Sequence, residues 1–109
     1  MARITGTDAA NTLRGTTLAD FIRGLDGSDT IHGGDGNDTI LGNDDDDLLY
    51  GGNGRDIMEG GWGADRIWGG AGDDDIEADE GNDSVWGGAG NDDIEGDEGN
   101  DHLDGGTGN

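Results

Sequence analysis

The chain has no cysteine and no proline, and only 28% of its 109 residues are apolar. Without cysteine there is no disulfide framework, no thiolate metal site and no thiol redox chemistry. Glycine apart, ordinary soluble domains are roughly 40% apolar, so this content leaves little material for a broad hydrophobic core. Bases are scarce as well: 5 Lys+Arg stand against 27 Asp+Glu, a formal net charge of −22. A chain of that sign repels phosphates and anionic membrane surfaces, which excludes nucleic acid as a partner. No apolar run approaches the ~18 residues of a membrane span, and no charged-then-apolar signal peptide opens the sequence. Low hydrophobicity with high net charge is, taken alone, the composition of a disordered chain, because too little burial offsets the lost conformational entropy. A stabilising partner is therefore expected. Abundant carboxylates point to a hard cation, Ca2+ ahead of Mg2+.

What the chain does have is glycine, 26 residues of it, placed by rule. Counted in nines from Gly6, the frame runs without insertion to Asp104, 99 residues or eleven nonapeptides, with a broken twelfth at 105–109. Position 8 reads Leu13, Ile22, Ile31, Ile40, Leu49, Met58, Ile67, Ile76, Val85, Ile94 and Leu103, and Ile4 fits the same slot one repeat earlier. Position 6 is Asn11 and thereafter aspartate, from Asp20 to Asp101. Position 1 is glycine except at Ala78, and position 4 is glycine from Gly27 to Gly108 except at Asp45.

A period of this kind predicts a solenoid. Each repeat reads as a six-residue turn followed by a three-residue strand whose middle residue points inward, since alternate strand residues face opposite sides. One aliphatic residue in nine makes a thin core of stacked columns. Glycines at positions 1, 2 and 4 are expected to adopt the positive φ that other residues resist, with Asp45 tolerating it better than most. Recurrent Gly-Gly excludes helices, and no twelve-residue loop with a terminal Glu marks an EF-hand.

The most regular copies are GGDGNDTIL (33–41), GGNGRDIME (51–59), GGAGDDDIE (69–77) and GGAGNDDIE (87–95). They resemble the RTX (repeats-in-toxin) nonapeptide family of hemolysin-type calcium-binding regions, G-G-x-G-x-D-x-U-x with U a large aliphatic. The resemblance implies an all-β, right-handed parallel β-roll without helices. Two repeats make one turn, so repeat n stacks on repeat n+2, and the turns sandwich several Ca2+ ions. It assigns carboxylate ligands to Asp29, Asp38, Asp47, Asp56, Asp65, Asp74, Asp83, Asp92 and Asp101. Backbone carbonyls come from the glycines: Gly33, Gly34 and Gly36; Gly42; Gly51, Gly52 and Gly54; Gly60 and Gly63; Gly69, Gly70 and Gly72; Gly81; Gly87, Gly88 and Gly90; and Gly99. Residues 1–23, whose turns GTDAAN and GTTLAD lack glycine at position 4, are expected to form a poorly liganded cap. Regular repeats occupy 24–104, and 105–109 is a truncated repeat. Both columns of turns are expected to bind, the even one (33–38, 51–56, 69–74, 87–92) more uniformly than the odd one. Stacked carboxylates at strand spacing repel until a cation joins them, so disorder without calcium and folding with it are expected.

The same resemblance implies a secreted bacterial protein in which such repeats lie beside a catalytic, toxin or adhesin domain. Scarce cytosolic calcium would keep the chain unfolded for a type I secretion channel, and external calcium would fold it together with its neighbour. The family's secretion signal lies beyond the repeats, so a chain stopping in mid-repeat is expected to be a truncated or isolated block. Its open strand edges suggest end-to-end self-association.

The outward positions sort by column. Position 9 of the odd repeats runs Arg14, His32, Tyr50, Trp68, Trp86 and Asp104, and predicts an aromatic ladder. The even repeats give Arg23, Leu41, Glu59, Glu77 and Glu95 with Asp75 and Asp93 beside them, an acidic face. Stacked aromatics stabilise neighbouring strands. The alternative is a docking surface for a domain, a partner chain or a sugar, which would make the chain an adhesive or ligand-binding solenoid. Catalysis finds no constellation. His32 and His102 lie apart in the sequence on outward strand positions, and Ser28 and Ser84 sit in ordinary repeat slots with no nucleophile elbow.

Overall fold

A lone aliphatic residue in every nine is buried only if successive repeats stack it against its own kind. In the computed structural model, which describes residues 2–107, that is how the chain is wound. Its strands are β1 (Arg3–Thr5), β2 (Thr12–Arg14), β3 (Phe21–Leu25), β4 (Thr30–Asp35), β5 (Thr39–Asp44), β6 (Leu48–Asn53), β7 (Ile57–Trp62), β8 (Arg66–Ala71), β9 (Asp75–Glu80), β10 (Ser84–Ala89), β11 (Asp93–Glu95) and β12 (His102–Asp104). No helix occurs among the described residues. One six-stranded sheet has the order β1-β3-β5-β7-β9-β11 and the other β12-β10-β8-β6-β4-β2. All pairings are parallel and join residues two repeats apart, as in Ile22↔Ile40 and Leu49↔Ile67. Two strands per coil make a β-solenoid of about six coils.

The core is the position-8 column. Ile22, Ile31, Ile40, Leu49, Met58, Ile67, Ile76 and Val85 are fully buried, and Ile4, Leu13 and Ile94 pack against them partly covered. Burial fails at the last of the series, where Leu103 is 44% exposed, because it has a stacked neighbour on one side only.

The strands are longer than the three residues expected. From β4 to β10 each spans six, running on through positions 1 to 3, with Gly34↔Gly52 and Asp35↔Asn53 paired in the same ladder as Ile31↔Leu49. The glycines let adjacent coils stay within hydrogen-bonding distance around the corner. Gly52 has φ 106° and Gly54 φ 115°, and a Cβ on either would strike the carbonyl oxygen of Gly34 or Gly36 in the coil before. Position 1 departs from the expected positive φ: none of its glycines lies in that region among the described residues. There glycine supplies room, since a Cβ on Gly51 would stand 2.5 Å from Asp56 Oδ2 and 2.5 Å from the Gly69 oxygen. Asp45 takes the left-handed conformation as expected, φ 78°, and so do Leu25, Asn43, Asp79 and Asp97 at position 2. Gly108 and Asn109, in the truncated repeat, fall outside the described residues.

Burial predicts an uneven response to truncation of the core. Ile67→Ala should cost roughly 2–5 kcal/mol in calcium-saturated protein, as measured by urea unfolding. Leu103→Ala should cost much less, and equal losses at the two positions would contradict a core anchored in mid-stack.

Candidate metal sites

The position-6 side chains turn inward at the end of each turn and stack like the aliphatics beside them. Asp20, Asp29, Asp38, Asp47, Asp56, Asp65, Asp74 and Asp83 are at most 3% exposed. One carboxylate oxygen of each is used in a ladder that runs along the solenoid. The backbone N–H of Asp38 donates to Asp56 Oδ1 at 2.8 Å, that of Asp56 to Asp74 Oδ1 at 2.9 Å, and that of Asp47 to Asp65 Oδ1 at 2.7 Å. The same bond recurs from Asn11→Asp29 to Asp83→Asp101.

The other oxygen is left over. Oδ2 of Asp29, Asp38, Asp47, Asp56, Asp65, Asp74, Asp83 and Asp92 is buried without a hydrogen-bond partner. A buried polar atom with no partner costs on the order of 1–3 kcal/mol, and more if charged. Eight such atoms, one per turn and four in each column, are an unmet requirement for a cation. The glycine positions around them fit the same need, because the absence of Cβ atoms leaves a cradle walled by carbonyl oxygens. The donors are all oxygen, suited to a hard ion such as Ca2+, which takes 6–8 of them. Eight of the nine aspartates expected as ligands carry a bare buried oxygen. Asp101 is only half-buried at the end of the stack, though its Oδ1 completes the ladder.

The protonation equilibria report the same conflict. Burial pushes Asp47 and Asp56 up to about 7, Asp65 to about 8 and Asp74 to about 6, with neighbouring stacked carboxylates adding to the rise and the accepted N–H bond opposing it. Asp29, Asp38 and Asp83 are raised by burial too. Asp20 goes the other way, lowered by the Thr16 N–H bond. Thr16 donates its N–H at 2.5 Å to Asp20 Oδ2 and its hydroxyl to both oxygens, while Ala2 N–H takes Oδ1. Asp20 therefore has no bare oxygen. Threonine in a slot that the later turns of its column give to Gly34, Gly52, Gly70 and Gly88 does what the ion would do there, and the sequence signal was there in Thr16 itself.

A second ladder, missed in the sequence, runs along position 5 in the opposite direction. Asn37 Oδ1 accepts the N–H of Arg55, Asp46 Oδ1 that of Ala64, Asp73 Oδ1 that of Asn91, and Asn82 Oδ1 that of Asn100, at 2.7–2.9 Å. On the acidic sheet, carboxylate oxygens of Glu77, Asp79 and Asp97 lie within 4.8 Å of one another. On the other sheet the aromatic ladder forms as read. Ring centroids are 4.7 Å apart for His32–Tyr50, 4.7 Å for Tyr50–Trp68 and 4.9 Å for Trp68–Trp86, with planes within 9° of parallel. His102, from position 7, closes the row edge-on against Trp86 at 6.3 Å.

Among protein-family models, that of the RTX calcium-binding nonapeptide repeat matches the chain in four copies, at residues 5–40, 32–67, 41–76 and 77–109. No curated protein matches it significantly.

Two outcomes follow from the raised carboxylates. A group whose pKa is higher folded than unfolded stabilises the fold below its unfolded value, and that contribution is lost as pH rises through the folded one. Calcium-free protein should therefore gain β-type circular dichroism on acidification. It should lose that signal progressively as pH rises from about 4, the ordinary carboxylate value, to between about 6 and about 8, where Asp74, Asp47, Asp56 and Asp65 titrate in the folded chain. Asp65→Asn keeps an oxygen for the Asp47 N–H and removes the bare charge. It should fold more readily in chelator yet bind fewer Ca2+ ions by calorimetry, and unchanged stoichiometry would refute a ligand role for Asp65.

Proposed function

The chain belongs to the RTX calcium-binding nonapeptide repeat family, and from that premise we propose that this calcium-binding β-roll is a folding switch within a larger secreted bacterial protein. The observation that carries the reading is the set of eight bare, buried carboxylate oxygens, four in each column of turns. With no cation their mutual repulsion and desolvation oppose the coil, and a thin aliphatic core, the backbone ladders and one row of stacked rings are set against them. Ca2+ bound at the turns would convert that repulsion into coordination, so that binding energy becomes folding energy. The position-6 aspartates from Asp29 to Asp92 would hold the ions with turn carbonyls from the glycines. The ion supplies charge neutralisation; the chain supplies preformed register, two inward ladders and exclusion of water.

In this reading residues 1–23 form an ion-free cap, supported by Asp20, whose oxygens are already taken by Thr16 and Ala2. Low calcium inside the cell would leave the chain extended and able to pass a type I secretion channel. Higher calcium outside would wind the roll and give an attached catalytic, toxin or adhesin domain a folded neighbour. The aromatic ladder is read here as a brace. Its ring faces are spent on one another at strand spacing, which leaves edges and not faces toward solvent.

The deciding experiment is a calcium titration at neutral pH followed by far-UV circular dichroism and tryptophan fluorescence, with Mg2+ as control. We expect a cooperative, Ca2+-selective passage from disorder to β-structure, with Trp68 and Trp86 changing emission in the same transition. A chain equally β-rich in EGTA would overturn the switch.

A further inference from the structure

Glycine follows asparagine only once in the chain, at Asn53–Gly54; every other internal asparagine precedes Asp or, at Asn11, Thr. An Asn-Gly pair is chemically weak, because glycine has no side chain to keep its backbone nitrogen from reaching the asparagine side chain before it. The Gly54 nitrogen gives up its proton and attacks Asn53 Cγ. The Cγ–Nδ2 bond breaks, and Nδ2 leaves with that proton as ammonia. Water then opens the resulting succinimide at either carbonyl, to aspartate or to isoaspartate. No oxidant, reductant or further reagent is required.

The wound coil occupies both reacting groups. Asn53 ends β6 at an exposed corner, and its Nδ2 donates to Asp35 Oδ1 of the coil before at 3.0 Å. The Gly54 N–H donates to the Ala71 carbonyl of the coil after at 2.9 Å. The nucleophile is thus tied to one neighbour and the electrophile to the other, with Asn53 itself in register between Asp35 and Ala71. Ring closure requires the Gly54 bond to break and the ladder to open in mid-stack. We propose that Asn53 is a site of spontaneous deamidation gated by winding: shielded in the calcium-bound solenoid and consumed in a chain that has not wound. This rests on the calcium switch proposed above. The product bars its own coil. Aspartate at 53 sets a carboxylate against that of Asp35 where an amide donor stood. Isoaspartate also routes the main chain through the side-chain carbon, which adds an atom before Gly54 and puts its N–H out of step with Ala71. The next two coils carry Ala71 and Ala89 in the same slot, so the corner accommodates a residue without the amide. The effect is a limit on how long an unwound chain stays able to wind.

The whole chain is aged in calcium, in EGTA and in urea with EGTA, and the peptide carrying Asn53 is followed by mass spectrometry that separates aspartate from isoaspartate. Deamidation should be at least roughly tenfold slower in calcium than in the other two, equivalent to ~1.4 kcal/mol of opening free energy. Asn37 and Asn82 in the same digests should stay intact over that time. Chain aged in EGTA and returned to calcium should regain less β-type circular dichroism in proportion to its isoaspartate, whereas Asn53→Ala aged alongside should wind in full. Equal rates in calcium and urea would overturn the proposal, as would full rewinding of isoaspartyl chain or an equal loss in Asn53→Ala. Circular dichroism before ageing reports the switch separately. A chain still β-rich in EGTA would sink the switch and the calcium gate with it, whatever the ratio of rates between calcium and urea.

Discussion

A carboxylate buried with one oxygen bonded and the other bare is the constraint on which this solenoid depends. The bonded oxygen fixes the distance between coils, because Asp56 Oδ1 holds the Asp38 backbone as Asp74 Oδ1 holds that of Asp56. The bare oxygen makes the same arrangement unfavourable for an ionised chain. Register and instability thus come from the same residues. A core of single aliphatics, one per strand, is enough to align the coils and too thin to outweigh stacked charge, so the sequence needs an outside cation where a globular domain would use more leucine.

Much of this was legible before any coordinates. Period alone locates the position-8 core, because a strand alternates its side chains and a solenoid repeats them, while the two-repeat stacking and with it the row His32–Tyr50–Trp68–Trp86 came from the family resemblance. Less visible was anything that depends on direction. Nothing in the letters says that position 6 bonds to the coil before it and position 5 to the coil after it. Nor does the pattern distinguish a glycine needed for its φ, such as Gly52, from one needed for space, such as Gly51. Leu25 in the left-handed region was hidden for a related reason: its slot is set by the stack, and local preference is overruled. The six-residue strands were missed because Gly-Gly reads locally as a turn, whereas between coils it is what keeps the ladder intact.

Departures from the repeat are as informative as its regularity. Thr16 replaces glycine and satisfies Asp20 with protein donors, which is what the first coils of a stack without a neighbour below require. Ala64 replaces a longer polar residue and leaves a cleft. Ala78 enters the core at a glycine position without displacing the strands beside it. Each exception changes one coil and leaves the frame undisturbed, a property of architectures in which every unit touches only its neighbours.

The two side-chain ladders run in opposite senses along the same corner. Where position 5 carries Asn37, Asp46, Asp73 or Asn82, a coil grips the one below with its aspartate at position 6 and the one above with position 5, whereas Arg55 and Ala64 offer no side-chain oxygen for the second bond. Pulling apart coils joined in both ways has to break both kinds of bond together with the backbone ladder, while the coils above Arg55 and Ala64 lack the position-5 bond. The seam above Arg55 and Ala64 is thus the lighter one in the central coils, and under tension the rod should yield there or from its ends, where Leu103 is exposed and Ile4 and Leu13 are only partly covered.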